Sequence, residues 1–315
     1  MSSIFVIGSS NTDMVIRSEK LPAPGETILG GEFLMTAGGK GANQAVAAAK
    51  LGGKVTFACK VGDDIFGRQA VQGFKDLGIN TNFISADPIH PSGVALILVD
   101  ARGENSIAVA PGSNGNLQIA DLENVIDQIN PGDIVLIQLE IPISTVAYAI
   151  EQCHKKGARV ILNPAPACVL DDAIFQYVYT ITPNETEAEL LTGIKVIDQQ
   201  SAATAATILM GKGVKNVIIT LGSKGAYHHD GLLNKIIPSP LVTAVDSTAA
   251  GDIFNGALAV ALTENMGPEG AVAFACKAAA ISVTRMGAQA SAPLRSELQY
   301  YPNVFAAVEK TGRVQ

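Results

Sequence analysis

The chain has 315 residues, 48% of them hydrophobic and 16% charged, with 22 basic against 29 acidic side chains and a net charge of −7. That composition supplies a sizeable core and excludes a disordered chain, and its scattered basic residues form no block of the kind that binds nucleic acid. No apolar run approaches the ~20 residues of a membrane span, and Cys59, Cys153, Cys168 and Cys276 form no C-x-x-C pair or zinc spacing. The expectation is a cytoplasmic protein with reduced thiols and no membrane partner.

The chain enters an apolar run at once, Ile4–Ile7, without the basic segment and long apolar stretch of a secretory leader. That run reads as a buried strand ending in Gly8-Ser9-Ser10. Residues 13–36 carry short alternating pieces such as Met14-Val15-Ile16 among Pro22, Pro24, Gly25, Gly30 and Gly31. An Ala-rich helix is expected from Lys40 to Leu51, a strand over Val55–Cys59, and a helix over Ile65–Leu77 stopped by Gly78. Gly93–Asp100 and Asn105–Ala110 flank Ala101-Arg102-Gly103-Glu104 as a hairpin.

From about residue 120 strands and helices alternate. The strands are Ile134–Gln138, Arg159–Leu162, Tyr179–Ile181 and Val217–Leu221; helices include Ile143–Lys156 and Gln199–Met210, followed by Ala250–Leu262 and Pro268–Thr284. Alternation of this kind predicts a doubly wound α/β domain, its mostly parallel central sheet flanked by helices. One such domain is expected over residues 1–315, with a small β-sheet lid built from two insertions, about 10–36 and 91–111. Ligands of such sheets bind beyond the carboxyl ends of the strands.

Chemistry concentrates there. In Asp246-Ser247-Thr248-Ala249-Ala250-Gly251-Asp252, small residues precede an acid at the start of a helix. The first amides of that helix lack internal partners and form an anion site, beside which Asp252 is placed to take a hydroxyl proton. An acid favoured merely by the helix dipole is the competing reading. Ala37-Gly38-Gly39-Lys40-Gly41-Ala42-Asn43-Gln44 fits neither the Rossmann spacing, since Gln44 replaces the third glycine, nor the Walker A spacing. It gives a Gly-rich turn into a helix that presents Lys40 and Asn43 on one face, or a turn chosen only for packing.

Asn11-Thr12-Asp13 offers amide and carboxylate groups after the first strand, and Glu140 follows the apolar run ending at Leu139. Asn184 and Glu187, in Thr182-Pro183-Asn184-Glu185-Thr186-Glu187, are suited to water-coordinated Mg²⁺ or to helix capping. Thr220-Leu221-Gly222-Ser223-Lys224-Gly225 is a strand-end turn compatible with a nucleotide or with no ligand. The four histidines show no ligand spacing, and no serine-hydrolase elbow is present.

In their order along nearly the whole chain, these segments resemble the ribokinase/phosphofructokinase B family of carbohydrate kinases. The two long signatures around residues 37–53 and 246–256 carry the resemblance most specifically. Asn11, Asp13, Glu140 and Thr284-Arg285-Met286-Gly287-Ala288-Gln289 point to its ribose-phosphorylating branch.

The resemblance implies ATP-dependent phosphorylation of D-ribose at its 5-hydroxyl, with Asp252 as base and Ala249, Ala250, Gly251 and Asp252 as anion hole. It implies sugar contacts from Asn11, Thr12, Asp13, Gly39, Lys40, Gly41, Asn43 and Glu140. Nucleotide contacts fall on Asn184, Thr220, Leu221, Gly222, Ser223, Lys224, Gly225 and Gly251, with Cys276 on the adenine side. Glu187 matches an acid linked to Mg²⁺ through water, while Asp246, Thr248, Ser282, Arg285, Gly287 and Ser291 match an activating K⁺ site made mainly of backbone carbonyls. The lid is implied to close over the sugar and to form a homodimer. The alternatives are a kinase of the same family for deoxyribose, fructose or a nucleoside, and a non-catalytic sugar sensor.

Overall fold

The computed structural model describes residues 2–299, so residues 1 and 300–315 of the expected span lie outside the described residues. The chain opens with β1 (Ile4–Ile7), then β2 (Asn11–Arg17) and β3 (Glu32–Gly38), and runs through α1 (Lys40–Lys50) into β4 (Val55–Gly62), α2 (Ile65–Asp76) and β5 (Asn80–Asp87). Next come the pair β6 (Gly93–Val99) and β7 (Asn105–Ala110), then α3 (Ile119–Asp127), β8 (Ile134–Ile137), α4 (Ile143–Lys155) and β9 (Arg159–Leu162). β10 (Thr180–Ile181) leads to α5 (Glu185–Thr192), α6 (Gln199–Gly211) and β11 (Asn216–Thr220), followed by β12 (Ala226–His229), β13 (Asn234–Ile237), α7 (Ala250–Thr263) and α8 (Pro268–Ser282).

Nine strands form one sheet in the order β13-β12-β11-β10-β9-β8-β1-β4-β5. All neighbours from β11 to β5 are parallel, and only the β11–β12 and β12–β13 pairings at one end are antiparallel. Every residue of β1 and β8 is buried, as expected of central parallel strands covered on both faces. Alternation along these strands divides the core. Phe5, Ile7, Val135 and Ile137 pack with α3, α4, α5 and α6, whereas Ile4, Val6, Ile134 and Leu136 pack with α1, α2, α7 and α8.

Within the second layer α7 lies tight against α1. A Cβ added to Gly256 would fall 2.7 Å from Gln44 O and 2.7 Å from Ala47 Cβ. Glycine on α7 facing alanine on α1 therefore lets the two backbones meet, one helical turn beyond Asp252. This contact sets the distance between Asp252 and the residues of α1.

The two insertions meet in a separate four-stranded sheet, β3-β2-β6-β7. β2 is antiparallel to β3 and parallel to β6, and β6 and β7 make the expected hairpin. Its register lines up Leu34, Val15, Ile97 and Ile107 across all four strands on one face. Both faces expose large apolar side chains, among them Phe33, Leu34, Met35, Leu96, Ile107 and Val109, and β7 is exposed along its whole length.

Candidate active site

From β1 the chain builds outward to β4 and β5; from β8 it builds the other way, to β13. The loops after β1 and β8 thus diverge at the switch point between them, where α/β sheets open a crevice. Glu140 sits in that crevice. Its Oε2 accepts from Ser9 Oγ at 2.5 Å and from the Lys40 amide at 2.9 Å, so one carboxylate oxygen joins the β1 loop to the N-terminus of α1.

Asp13 lies on the same face of β2 as Asn11, while Thr12 points to the other face and lines a cavity of about 220 Å³ against α2. Asn11 Oδ1 accepts from Asn114 Nδ2 at 2.7 Å, and Asn114 Oδ1 accepts from the Ser10 amide at 2.9 Å. Burial pushes the Asp13 carboxyl up to about 6, and the charges of Glu140 and Asp252 add to the rise. Gly39, at the N-cap of α1, has φ 88°, and the Gly41 amide donates to Ser9 Oγ at 3.3 Å.

Asp252 stands in the first turn of α7 and is 5% exposed. Asn43 Nδ2 donates to its Oδ2 at 2.9 Å and Gln44 Nε2 to its Oδ1 at 3.1 Å. Burial raises its pKa; the Lys40 ammonium and the amides of Asn43 and Gln44 oppose this, and Glu140 reinforces it. Asn43 Oδ1 is buried with no hydrogen-bond partner, an acceptor suited to a sugar hydroxyl. Ahead of Asp252, Ala249 occupies the left-handed region at φ 59°, a strained setting for alanine at a cost of ~1–2 kcal/mol. The Ala250 amide is engaged with Ser247 O at 3.2 Å, leaving Gly251 and Asp252 to supply the first-turn amides of the expected anion hole.

A cavity of about 190 Å³ brings Asp252, Gly251, Ala250 and Ala249 together with Lys40, Asn184, Glu187 and Thr220. Burial pushes the Lys40 ammonium toward neutrality, but Asp252, Glu140 and Glu187 together outweigh this and hold its pKa above the ordinary value. Asn184 and Glu187 make the reciprocal capping box of α5. Glu187 N donates to Asn184 Oδ1 at 2.8 Å, and Asn184 N to Glu187 Oε2 at 2.9 Å. Burial nonetheless raises the Glu187 pKa, against the Asn184 amide and Lys40. Capping and a place in the cavity therefore coexist at these two residues.

Of the loop 220–225, Thr220 reaches this cavity. Leu221 is buried in the core, and Gly222, Ser223 and Lys224 form a 3-10 turn closed by Leu221 N to Gly225 O at 2.8 Å. Cys276 on α8 is 4% exposed in the apolar layer, its thiol pushed up by burial to about 12.

Farther along, Asp246 ties two loops together, with Oδ1 accepting from Thr248 N at 2.9 Å and Oδ2 from Gly287 N at 2.8 Å. These bonds, with the Thr248 hydroxyl and the charge of Arg17, overcome burial and hold its pKa below the usual carboxylate range. Ser282 Oγ and Ser291 Oγ donate to Ala279 O and Ala288 O, each at 2.8 Å, and the Arg285 guanidinium pairs with Glu297. Among the described residues no group of three or more His, Cys, Asp or Glu is arranged to hold a metal ion.

Sequence reasoning missed the polar residues around Asp252, three of which (Asn163, Thr182 and Asn255) line its cavity. Gln138, Asn163, Thr182 and Asn255 are buried, and Gln44 entered only as a departure from a glycine motif. The available signal was a polar residue directly after three apolar strands: Gln138 after β8, Asn163 after β9 and Thr182 after β10.

Residues 1–295 match the family model described as pfkB family carbohydrate kinase. A ribokinase of Haemophilus influenzae is 44% identical over 295 residues, covering 94% of this chain and 96% of its own. A deoxyribokinase of Salmonella typhi is 40% identical, covering 95% and 98%. The structure of Arabidopsis thaliana ribokinase complexed with ribose and ATP superimposes with a TM-score of 0.86 at 32% identity, covering 95% and 98%.

Proposed function

The chain belongs to the pfkB family of carbohydrate kinases, and from that premise we propose that it transfers the γ-phosphoryl group of ATP to the 5-hydroxyl of D-ribose, with Asp252 as the base. The observation that carries this reading is the position of Asp252: buried at the start of α7, gripped by two amides, and sharing one cavity with Lys40 and Glu187.

The sugar lies in the crevice between the two sheets, with Asn11, Asp13, Asn43 and Glu140 as its polar partners and the Gly39–Gly41 backbone beside it. Asp252 accepts the proton of the 5-hydroxyl as that oxygen forms its bond to the γ-phosphorus and the bond to ADP breaks. The Gly251 and Asp252 amides and Lys40 face the negative charge that develops on the phosphoryl oxygens. Asn184 and the turn from Thr220 to Gly225, with Cys276 on the adenine side, serve the nucleotide.

The donor sets fit the two cations of the family reading. Glu187 is a buried carboxylate in the same cavity, suited to Mg²⁺ through water. Asp246, Thr248, Ser282, Arg285, Gly287 and Ser291 can offer backbone carbonyl oxygens, with the Arg285 guanidinium held away on Glu297 and the Asp246 carboxylate holding two loops in register, a donor set suited to K⁺. When bound, Mg²⁺ offsets phosphate charge, and K⁺ orders the loop ahead of the anion hole.

The small sheet is the lid. Its exposed apolar faces support a homodimer in which lid packs on lid. The four free cysteines, three of them buried, fit a reducing compartment such as the cytoplasm.

The test is ADP release coupled to a dehydrogenase, with ribose, 2-deoxyribose, fructose and a nucleoside as acceptors. Ribose is expected to give the highest kcat/KM. Preference for 2-deoxyribose would move the chain to the activity that its Salmonella relative is named for, and ATP turnover with none of the four would refute the reading.

A further inference from the structure

Beneath Asp252 lies a directional chain of buried amides that the phosphoryl-transfer scheme does not use. Gln138 and Gln44 are both fully buried. Gln138 Nε2 donates to Gln44 Oε1 at 2.7 Å, and Gln44 Nε2 donates to Asn163 Oδ1 at 3.0 Å and to Asp252 Oδ1 at 3.1 Å. The Gln44 carboxamide is therefore matched at its oxygen and at both N–H groups. Turning it over would set its oxygen against the carboxylate of Asp252 and the carbonyl of Asn163, and its nitrogen against the Gln138 nitrogen, so the partners dictate one orientation.

A second branch returns to the same helical turn. Asn163 Nδ2 reaches Thr182 O at 3.4 Å, Thr182 Oγ1 donates to Asn255 Oδ1 at 2.7 Å, and Asn255 Nδ2 donates to Gly251 O at 2.8 Å. Three successive strand ends thus brace the first turn of α7, and Asn163, Thr182 and Asn255 of this branch also line the cavity of Asp252.

Such an arrangement is costly as mere packing. Gln138 Oε1 is buried without a hydrogen-bond partner, and an acceptor left in that state destabilises the fold. An apolar residue of similar length would fill the space without that cost. The polar choice makes sense if the amide of Gln44 has to be held one way round.

We propose that Gln44, held by Gln138 and Asn163, is a positioning residue that aims the Asp252 carboxylate at the sugar hydroxyl and keeps it ionised at neutral pH. This deepens the reading of Asp252 as base and rests on it. Asn43 grips the other oxygen from α1 and borders the sugar, so its amide has a second partner to serve. Gln44 is fully buried and, unlike its partner Asn163, does not line the cavity that holds Asp252. The charged groups that also face Asp252 are Lys40, Glu140, Asp13 and Glu187; Lys40 favours the carboxylate, and the three acids disfavour it.

The experiment uses the full chain and four variants, Gln44→Met, Gln138→Met, the two combined, and Asp252→Asn, with kcat and KM for ribose and ATP measured against pH and thermal midpoints recorded alongside. Gln44→Met is expected to move the acidic limb of kcat up by about one pH unit and to lower the plateau about tenfold, with both KM values within roughly twofold. Gln138→Met, which does not touch Asp252, moves the limb in the same direction by less, and the double variant is no worse than Gln44→Met. Wild-type pH profiles in both glutamine variants, whatever their thermal midpoints, overturn the proposal; if Gln44→Met does not fold, the profile of Gln138→Met decides alone. Turnover retained by Asp252→Asn instead refutes the base itself. An inactive Asp252→Asn beside unperturbed glutamine variants removes the positioning role only.

Discussion

The carboxylate of Asp13 lies directly over the backbone of Gly38, where an added Cβ would fall 2.2 Å from Asp13 Oδ2 and 2.3 Å from Oδ1. The two residues sit diagonally across the β2–β3 pair on the face turned to the crevice. A glycine is therefore part of the carboxylate's seat. Gly38→Ala is expected to push Asp13 out of place, raising KM for ribose by about tenfold or more while KM for ATP stays near wild type. Steady-state kinetics with each substrate varied in turn checks it, and an unchanged sugar KM would detach Asp13 from the sugar.

Asp13 also links pH to stability. Its pKa is 3.8 ordinarily and about 6 in the folded protein. Between these values the folded state holds more protons than the unfolded one, so this contribution to stability is full at low pH and is lost as pH rises through about 6. Asp13→Asn removes the cost of the buried charge. At pH 7 it should stabilise the fold by about 1–3 kcal/mol, a gain that shrinks toward pH 4, while sugar binding weakens. Denaturant melts of both proteins at pH 4 and pH 7 measure the difference. In the wild type, kcat/KM for ribose should rise with pH through about 6 as the accepting carboxylate forms.

Gly251 and Asp252 separate stability from catalysis within one helical turn. A Cβ on Gly251 would meet nothing within 4 Å, so Gly251→Ala is sterically free and should stabilise α7 by about 0.5–1 kcal/mol. That methyl group would stand in the cavity that receives the phosphoryl group, and kcat should fall at least tenfold. Asp252→Ala should cost on the order of 10²–10⁴-fold in kcat. A Gly251→Ala variant that is both more stable and fully active would exclude the first turn of α7 as the anion hole.

Much of this architecture was legible in the sequence because the signals were local. The strand expected over Val55–Cys59, observed to run on to Gly62, the helix expected over Lys40–Leu51 and the Gly93–Ala110 hairpin follow from periodicity and turn residues, and the acid after Ala-Ala-Gly singles out Asp252 as a candidate without tertiary information. β5 escaped notice because Asn80-Thr81-Asn82 opens an edge strand with few buried apolar side chains. β12 and β13 are short and carry histidine, asparagine and lysine. The amides around Asp252 were illegible for another reason. Gln44, Gln138 and Asn163 lie far apart in sequence, and a polar residue after a strand reads as solvated loop until the helix that buries it is known.

Asp246 predicts a monovalent-cation effect. Because its two oxygens hold Thr248 N and Gly287 N, it keeps the loop before α7 against the loop after α8, and K⁺ bound to their carbonyls would reinforce the same closure. Turnover should be several-fold higher in potassium than in sodium salts. The thermal midpoint should rise with K⁺ concentration, since a ligand that binds only the folded state stabilises it. Asp246→Ala should abolish both effects. Equal rates and midpoints in the two salts would remove the cation from the scheme.

The lid gives the last prediction. Leu34, Val15, Ile97 and Ile107 form a continuous apolar row across four strands, and Leu34 and Ile107 are 42% and 55% exposed. A sheet that leaves such a row to water invites association, and a second copy of the same sheet offers the same row in return. Sedimentation of the wild type should show a dimer. Leu34→Glu with Ile107→Glu should give a folded monomer, because charges on that face stay solvated only when the lids part. Neither core cluster of the large sheet includes these four residues, so thermal unfolding should change little, whereas sugar affinity should fall if the paired lids hold each other over the crevice. A wild type that sediments as a monomer refutes the dimer, and a double variant that remains a dimer places the interface elsewhere.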